Sequence, residues 1–155
     1  FSSLNKEFIS LYNQQKYVSK LKKNIIALVG CLNDLGVKQF IVSAQNNKTL
    51  TDLVSFYGLM QSFVAVGGVD NDLAYGKKGL AFELKKKYCN KKNDIIIIGD
   101  TFLDFEVSQH IGARCILVDW GHYSFNRLSC CGVPVFSSVN DLKSFLIKEL
   151  ELTSL

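Results

Sequence analysis

The sequence predicts an α/β fold built on a doubly wound parallel sheet. Short apolar runs alternate with stretches in which apolar residues recur every three or four positions, as strands alternate with helices in such folds. The links between them are short, which indicates right-handed strand–helix–strand units. The clearest run, residues 95–98, is four isoleucines between polar Asp94 and Gly99. We expect this strand, apolar on both faces, to lie in the middle of the sheet.

The elements follow from the pattern in chain order. Gly36 and Gly58 stand where glycine commonly ends a helix, behind the second and third predicted helices. A loop rich in Gly and Asp fills residues 67–76. The predicted helices are 4–12, 25–35, 50–57, 80–88, 103–111 and 142–150, and the predicted strands are 39–42, 63–66, 95–98, 115–118 and 133–136.

Composition places the chain among globular proteins that do not span membranes. Of its 155 residues, 48% are hydrophobic and 21% charged, and no apolar run approaches the roughly 20 residues that cross a bilayer. The net charge of +4 is concentrated in lysines at 85–87 and 91–92. This cluster lacks interleaved aromatic residues and a nucleic-acid-binding module, so we expect a solvated helix end and no nucleic-acid partner.

The five cysteines show no Cys-x-x-Cys pair. Cys31 and Cys115 stand in apolar surroundings and are predicted to be small core residues. Cys130 and Cys131 are adjacent, but no histidine or second cysteine pair stands at ligand spacing, so a zinc site is not expected. The simplest expectation is a chain with reduced thiols in the cytoplasm.

Polar residues with complementary chemistry stand just beyond the predicted strands, where parallel sheets bind ligands. Ser43 follows the first strand, and its hydroxyl with nearby backbone amides could donate to a phosphate. Asp100 and Asp104 follow the third strand, four residues apart on one helical turn, so both carboxylates could face a magnesium ion. Lys77 or Lys78 could neutralise charge on a transferring phosphoryl group.

Each of these residues has a plainer interpretation when it is taken alone. Asp100 and Ser43 could be helix N-caps, and the lysines could be solvated surface residues. Capping does not explain why a serine and two carboxylates collect at one edge of the sheet. Their order along the chain therefore favours a phosphate and cation site.

The same residues resemble the motifs of the haloacid dehalogenase (HAD)-like hydrolase superfamily. The sequence FIVS at 40–43 is similar to its second motif, a hydrophobic strand that ends in Ser or Thr. Lys77 resembles the third motif, and IIIIGDTFLD at 95–104 resembles the fourth, in which GD-x-x-x-D follows an apolar strand. The similarity runs from about Ile25 to Leu146 and is strongest to phosphoglycolate-phosphatase-like members.

This resemblance implies roles for the residues at the phosphate. Ser43, with Ala44 and Gln45, would bind the phosphate group of a small phosphorylated substrate. Lys77 would brace the phosphate and the nucleophile. It is preferred because it leaves the apolar positions of its helix on the buried face, and Lys78 is the alternative.

The resemblance also implies a cofactor and a domain organisation. Asp100 and Asp104 would hold Mg²⁺. Residues 24–155 would form a Rossmann-like HAD core, and residues 1–23 would be the end of a helical cap or a linker helix. The activity implied is a Mg²⁺-dependent phosphomonoesterase that works through an aspartyl-phosphate.

One family feature has no counterpart in the sequence. HAD phosphatases begin with a strand that ends in Asp-x-Asp, whose first aspartate is the nucleophile, and no such strand precedes Ser43. Asp70 and Asp72 have the spacing but follow a Gly-Gly turn between the second and third motifs, and we interpret them as loop carboxylates. We therefore expect about a hundred preceding residues of a capped family member, including the first strand, to be absent, and the chain alone to be inert.

Other hypotheses remain open at this point. The chain could be a HAD-like module that has lost catalysis and serves in binding or interaction. A receiver-like signalling domain fits less well, because it needs a different arrangement of acidic residues with a lysine late in the chain. A missing strand would leave apolar surface, which favours self-association or a partner chain that supplies the strand.

Overall fold

The computed structural model describes residues 20–69, 76–89 and 95–153, and the chain divides into two compact units, Phe1–Gly68 and Val69–Leu155. In both units helices alternate with parallel strands, which confirms the α/β class. No helix within the described ranges is long and apolar enough to cross a membrane. The predicted helix at 4–12 lies outside the described residues, and the division into residues 1–23 and 24–155 stays a prediction.

In residues 20–68, the described part of the first unit, the chain forms a two-stranded parallel sheet and two helices. Leu28 and Leu32 of the first helix and Leu50 and Val54 of the second helix are buried. Gly36 and Gly58 adopt positive φ values of 74° and 67° behind these helices, as the sequence predicted. The elements are α1 (Ile25–Asp34), β1 (Phe40–Val42), α2 (Asn47–Phe56), a 3₁₀ turn (Met60–Ser62) and β2 (Ala65–Gly67).

The second unit contains a three-stranded parallel sheet with strand order β3-β4-β5. Its central strand is buried along Cys115 to Val118, and Val107 of α4 and Leu142 of α6 are buried as well. The elements are α3 (Gly76–Tyr88), β3 (Ile96–Gly99), α4 (Phe102–Ile111), β4 (Arg114–Val118), α5 (Phe125–Leu128), a 3₁₀ turn (Ser129–Cys131), β5 (Val135–Phe136) and α6 (Val139–Thr153).

The isoleucine strand does not occupy the middle of this sheet. Among the described residues β3 pairs with β4 alone, and Ile98 is 41% exposed. The prediction of a central position is therefore wrong for the sheet that the structure describes, in which β4 has that place. An apolar run indicates that both faces of a strand are buried, but it does not indicate which strands lie along its two edges. Because β3 and β4 both follow from apolar runs, the pattern does not distinguish which of them is central.

The segment between β4 and β5 also differs from the prediction. A loop was expected there, whereas the chain forms α5 and a 3₁₀ turn that ends at Gly132 with φ 67°. The last strand is shorter than the predicted 133–136. Pro134 has no N–H to donate, and only its carbonyl takes part, accepting from the Leu117 amide at 2.9 Å.

Candidate active site

Asp100 and Asp104 are positioned by the turn that links β3 to α4. The strand ends at Gly99, and Thr101 is the N-cap of α4 in extended conformation. The Thr101 side chain accepts from the Asp104 amide, and the Asp104 side chain accepts from the Thr101 amide, which together form a capping box. The local sequence therefore fixes the Asp104 carboxylate at the carboxyl end of the strand.

Asp104 is buried, and both of its carboxylate oxygens are hydrogen-bonded. Oδ2 accepts from the backbone amides of Asp100 and Thr101, each at 3.0 Å, and from the Thr101 hydroxyl at 2.7 Å. Oδ1 accepts from Lys77 Nζ. Burial alone would raise the pKa of Asp104, but the bonds from Lys77 and Thr101 and the lysine charge outweigh it, so the pKa lies below 3.8. Asp104 is therefore a carboxylate at neutral pH.

The two candidate lysines point to different partners. The Lys77 side chain is 16% exposed and forms an ion pair with the buried Asp104 carboxylate. Lys78 lies at the surface and pairs with Glu106, with its Nζ 2.7 Å from the glutamate Oε2. The structure thus brings Lys77 to the carboxyl end of β3 and leaves Lys78 on the solvated side, which favours Lys77 as the motif lysine.

Asp100 has a separate set of contacts. Its Oδ2 accepts from the backbone amide of His122 at 2.8 Å and lies 2.6 Å from His122 Nδ1. Because a carboxylate only accepts, Nδ1 must carry the hydrogen in this contact. Oδ1 of Asp100 accepts no hydrogen bond from any residue in the described ranges. The free oxygen lies on a half-buried side chain and is open to a ligand.

Two glycines allow the carboxylates to pack this closely against the backbone. A Cβ at Gly99 would overlap the carboxylate of Asp104, and a Cβ at Gly121 would overlap that of Asp100. The side chain that follows Gly121 can therefore reach Asp100. The sequence showed the pair Gly121-His122 but gave no reason to assign it a partner 22 residues earlier.

The predicted phosphate-binding loop belongs to the first unit. The Ser43 amide donates to the Gly67 carbonyl at 3.0 Å, and its hydroxyl accepts from the Gln45 amide at 3.1 Å. The hydroxyl hydrogen of Ser43 has no acceptor among the described residues. The loop is held tightly, since a Cβ at Gly68 would come within 2.6 Å of Asn47 Cα. Ser43 is thus a preformed donor beyond β1.

The predicted site residues are divided between the two units. Lys77, Asp100 and Asp104 meet within the second unit, while Ser43, Ala44 and Gln45 form a loop of the first unit. Asp70 and Asp72 lie outside the described residues. The contributions of Thr101 and His122 were not predicted. A Thr three residues before an Asp is a capping-box signal and could have identified the first of them.

The donor set fits a hard divalent cation at Asp100. One Asp100 carboxylate oxygen has no hydrogen-bond partner among the described residues, and oxygen is the ligand atom that Mg²⁺ prefers. Within the described residues no group of three or more His, Cys, Asp or Glu side chains forms a complete metal site. Mg²⁺ commonly takes one or two carboxylates and completes its shell with water and phosphate oxygens. A role for Asp104 as a second ligand stays a prediction, because its oxygens already have partners.

Comparison with known proteins identifies the family. A sequence model of the haloacid dehalogenase-like hydrolases matches residues 2–118. No curated protein sequence gives a significant match. Among solved structures, a predicted phosphatase from Clostridium acetobutylicum aligns with a TM-score of 0.80 at 21% identity, over 86% of this chain and 62% of its own length.

Two further structures share the fold. A predicted phosphoglycolate phosphatase from Haemophilus somnus aligns with a TM-score of 0.81 at 16% identity, over 91% of this chain and 64% of its own. Protein Tyrosine Kinase A from Mycobacterium tuberculosis aligns with a TM-score of 0.71 at 20% identity, over 87% and 65%. The chain spans less than two thirds of each of the three structures. On the family match, this chain belongs to the haloacid dehalogenase-like hydrolases.

Proposed function

We propose that this chain provides the phosphate- and cation-binding part of a Mg²⁺-dependent phosphomonoesterase that acts on a small phosphorylated metabolite. The observation that carries the proposal is the buried Lys77–Asp104 pair beside Asp100, at the carboxyl end of β3. A lysine held by a buried carboxylate keeps its charge where a phosphoryl group would arrive. Family membership and the phosphatases among the solved structures support the same reaction class.

The reaction would need an aspartate nucleophile in addition to the residues described above. An aspartate oxygen would attack phosphorus, the bond from phosphorus to the ester oxygen would break, and the departing oxygen would take a proton. Water would then hydrolyse the aspartyl-phosphate and release inorganic phosphate. In both steps Ser43 would donate to a phosphate oxygen and Lys77 would neutralise the charge that develops there. Asp104 would hold Lys77 in place.

Asp100 is the residue that we propose to bind Mg²⁺ through its uncommitted Oδ1. When bound, the ion would screen the phosphate charge and orient the group for in-line attack. Asp104 would support the same site indirectly. It accepts a hydrogen bond from Lys77 and from the Asp100 and Thr101 amides, and would thereby hold these groups in place.

All five cysteines are free thiols. This is consistent with a protein that works in a reducing environment.

The exposed edge of β3 supports a further part of the proposal. Within the described residues this strand pairs on one side only, and Ile98 is 41% exposed although it lies in an all-isoleucine run. An unpaired edge of an apolar strand is a template for another strand. We propose that the strand carrying the nucleophile pairs here, from the same natural chain or from a partner.

A longer natural protein that contains this sequence tests the proposal directly. Its hydrolysis of p-nitrophenyl phosphate should require Mg²⁺, and Asp100→Ala or Lys77→Ala should lower kcat/KM by at least about 100-fold. Lys78→Ala is the matched control and should stay within about twofold, because exposed ion pairs contribute little. Unchanged activity in Asp100→Ala would rule the assignment out. The 155-residue chain alone should be inactive.

The second candidate is a catalytically inactive binding or interaction module. The structural likeness to Protein Tyrosine Kinase A favours it, because this likeness indicates that the fold does not fix the activity. The natural protein would then lack phosphatase activity with Mg²⁺ even at full length. Reading the natural sequence upstream of Phe1 distinguishes the two candidates, since the enzyme needs a strand ending in Asp-x-Asp.

A further inference from the structure

We propose that His122 is a positioning residue that fixes the Asp100 carboxylate through one oxygen and leaves the other for the divalent cation. This inference rests on the proposed function, because it assigns the cation to Asp100. His122 lies in the loop between β4 and α5, and the sequence predicted no role for it at the site. Its role is visible only in the folded chain.

Two donors of one residue converge on one oxygen. The His122 amide and Nδ1 both bond to Oδ2 of Asp100, at 2.8 and 2.6 Å. The His122 side chain is 80% exposed, so burial does not force the ring into this position. Hydrogen bonds to a charged acceptor are about twice as strong as neutral ones. Two of them on Oδ2 hold this oxygen against His122. The rotation of Asp100 is thereby restricted.

The loop that presents His122 is anchored beside it. The Tyr123 ring packs against Phe102 with centroids 4.9 Å apart, and the Arg127 guanidinium lies 4.1 Å from the Tyr123 centroid. Both aromatic side chains pack on the core cluster of Cys115, Leu117 and Leu128. Cation–aromatic stacking of this kind holds side chains together even at a surface. His122 is therefore attached to a fixed loop and can act as a rigid support.

The expected consequence is a preorganised cation ligand. Mg²⁺ demands near-ideal octahedral geometry, so a carboxylate that is already oriented loses less freedom when it binds. Residues that orient metal ligands typically change metal affinity about 10–100-fold when they are replaced. His122 should thus affect cation affinity strongly and the rate at saturating cation weakly.

The test compares three histidine variants in the natural full-length protein. Mn²⁺ binding is measured from the electron paramagnetic resonance signal of the free ion, and phosphatase activity is titrated with Mg²⁺. We expect His122→Ala to raise the Mn²⁺ dissociation constant and the Mg²⁺ concentration for half-maximal rate by about 10-fold, with kcat at saturating Mg²⁺ within about twofold. His122→Asn, whose amide can donate in place of Nδ1, should recover most of the affinity. His110→Ala is the control and should change neither.

Asp100→Asn separates the failure of this inference from failure of the proposed function. If Asp100→Asn abolishes Mn²⁺ binding while His122→Ala binds Mn²⁺ as wild type does, the positioning role is overturned and the phosphatase assignment stands. Unaltered Mn²⁺ binding and activity in Asp100→Asn would overturn both. A loss of kcat in His122→Ala with unchanged Mn²⁺ affinity would also contradict the inference, because it would indicate a direct catalytic role. Circular dichroism of each variant verifies folding.

Discussion

Lys77 and Asp104 form an ion pair between the first turns of α3 and α4, in which the aspartate side chain is 4% exposed and the lysine 16%. The pair connects two helices of the second unit at the carboxyl end of β3. A buried carboxylate that loses its cation remains ionised in a poorly solvated place, which is costly. The pair therefore affects stability as well as the candidate chemistry.

Replacing Lys77 should destabilise the protein, whereas replacing its neighbour should not. We expect Lys77→Met to lower the free energy of unfolding by about 2 kcal/mol, because Asp104 keeps its bonds from Thr101 and Asp100 but loses a charged donor. Lys78→Met breaks only an exposed pair and should cost less than about 0.5 kcal/mol. Urea unfolding followed by the fluorescence of the single tryptophan, Trp120, measures both. Equal costs would contradict the structural distinction between the two lysines.

The lowered pKa of Asp104 predicts a loss of stability in acid. Folding lowers the pKa of this carboxyl, so as pH falls the unfolded chain takes up the proton first. The stabilisation is fully present well above the pKa of the unfolded state and is lost as pH falls through the lower pKa of the folded state. The stability difference between wild type and Asp104→Asn should thus be constant around neutral pH and shrink in acid. A difference that shrinks at higher pH, near neutrality, would show that another group is responsible.

The sequence predicted the residues of this site better than their arrangement. Strand-end positions indicated Asp100 and Asp104, because parallel strands present their carboxyl ends at one edge. Lys77 was indicated by its resemblance to the third family motif, with Lys78 as the alternative. Four-residue spacing allowed both carboxylates to face one point, but it does not distinguish that arrangement from a capping box. The hydrogen bonds of Asp104 show that the capping box formed. The contact of Asp100 with His122 depends on the course of a loop, which no local pattern encodes.

The same limit applies to the sheet. Apolar runs located the five strands of the described ranges to within a few residues, but the order of strands across a sheet depends on which strand edges pair. The exposed side chain of Ile98 shows the difference, since a residue that looks like core in the sequence is core only when its neighbours are present. Strand order is determined by pairing between residues far apart in the chain, and the periodicity of a single segment carries no information about it.

Cys115 should be the most protected of the five thiols and Cys130 among the first to react. Burial raises the pKa of Cys115, which keeps it in the unreactive thiol form, and its side chain lies inside the core cluster. Cys130 is exposed on the 3₁₀ turn after α5. Timed iodoacetamide labelling with peptide mass spectrometry should modify Cys130 in the native protein and Cys115 only after urea is added. Native labelling of Cys115 would mean that the second unit opens locally.

Gly99 should be intolerant of any side chain. A Cβ at this position would overlap the Asp104 carboxylate, whose hydrogen bonds leave it no alternative place. We expect Gly99→Ala to lower the free energy of unfolding by about 2–3 kcal/mol, as overpacking does, and to displace Asp104 from Lys77.

Gly30→Ala provides the matched control for this substitution. Gly30 lies within α1, and apart from its own helix backbone and chain neighbours no atom lies within 4 Å of the Cβ that alanine would add there. Alanine loses less backbone entropy than glycine in a helix, so this change should stabilise the protein by about 0.5–1 kcal/mol. Urea unfolding measures the change in the free energy of unfolding for both variants. If Gly99→Ala lowers it and Gly30→Ala raises it, the loss at Gly99 is due to the contact with Asp104. A Gly99→Ala variant as stable as wild type would show that the carboxylate can move, and that its hydrogen bonds do not hold it.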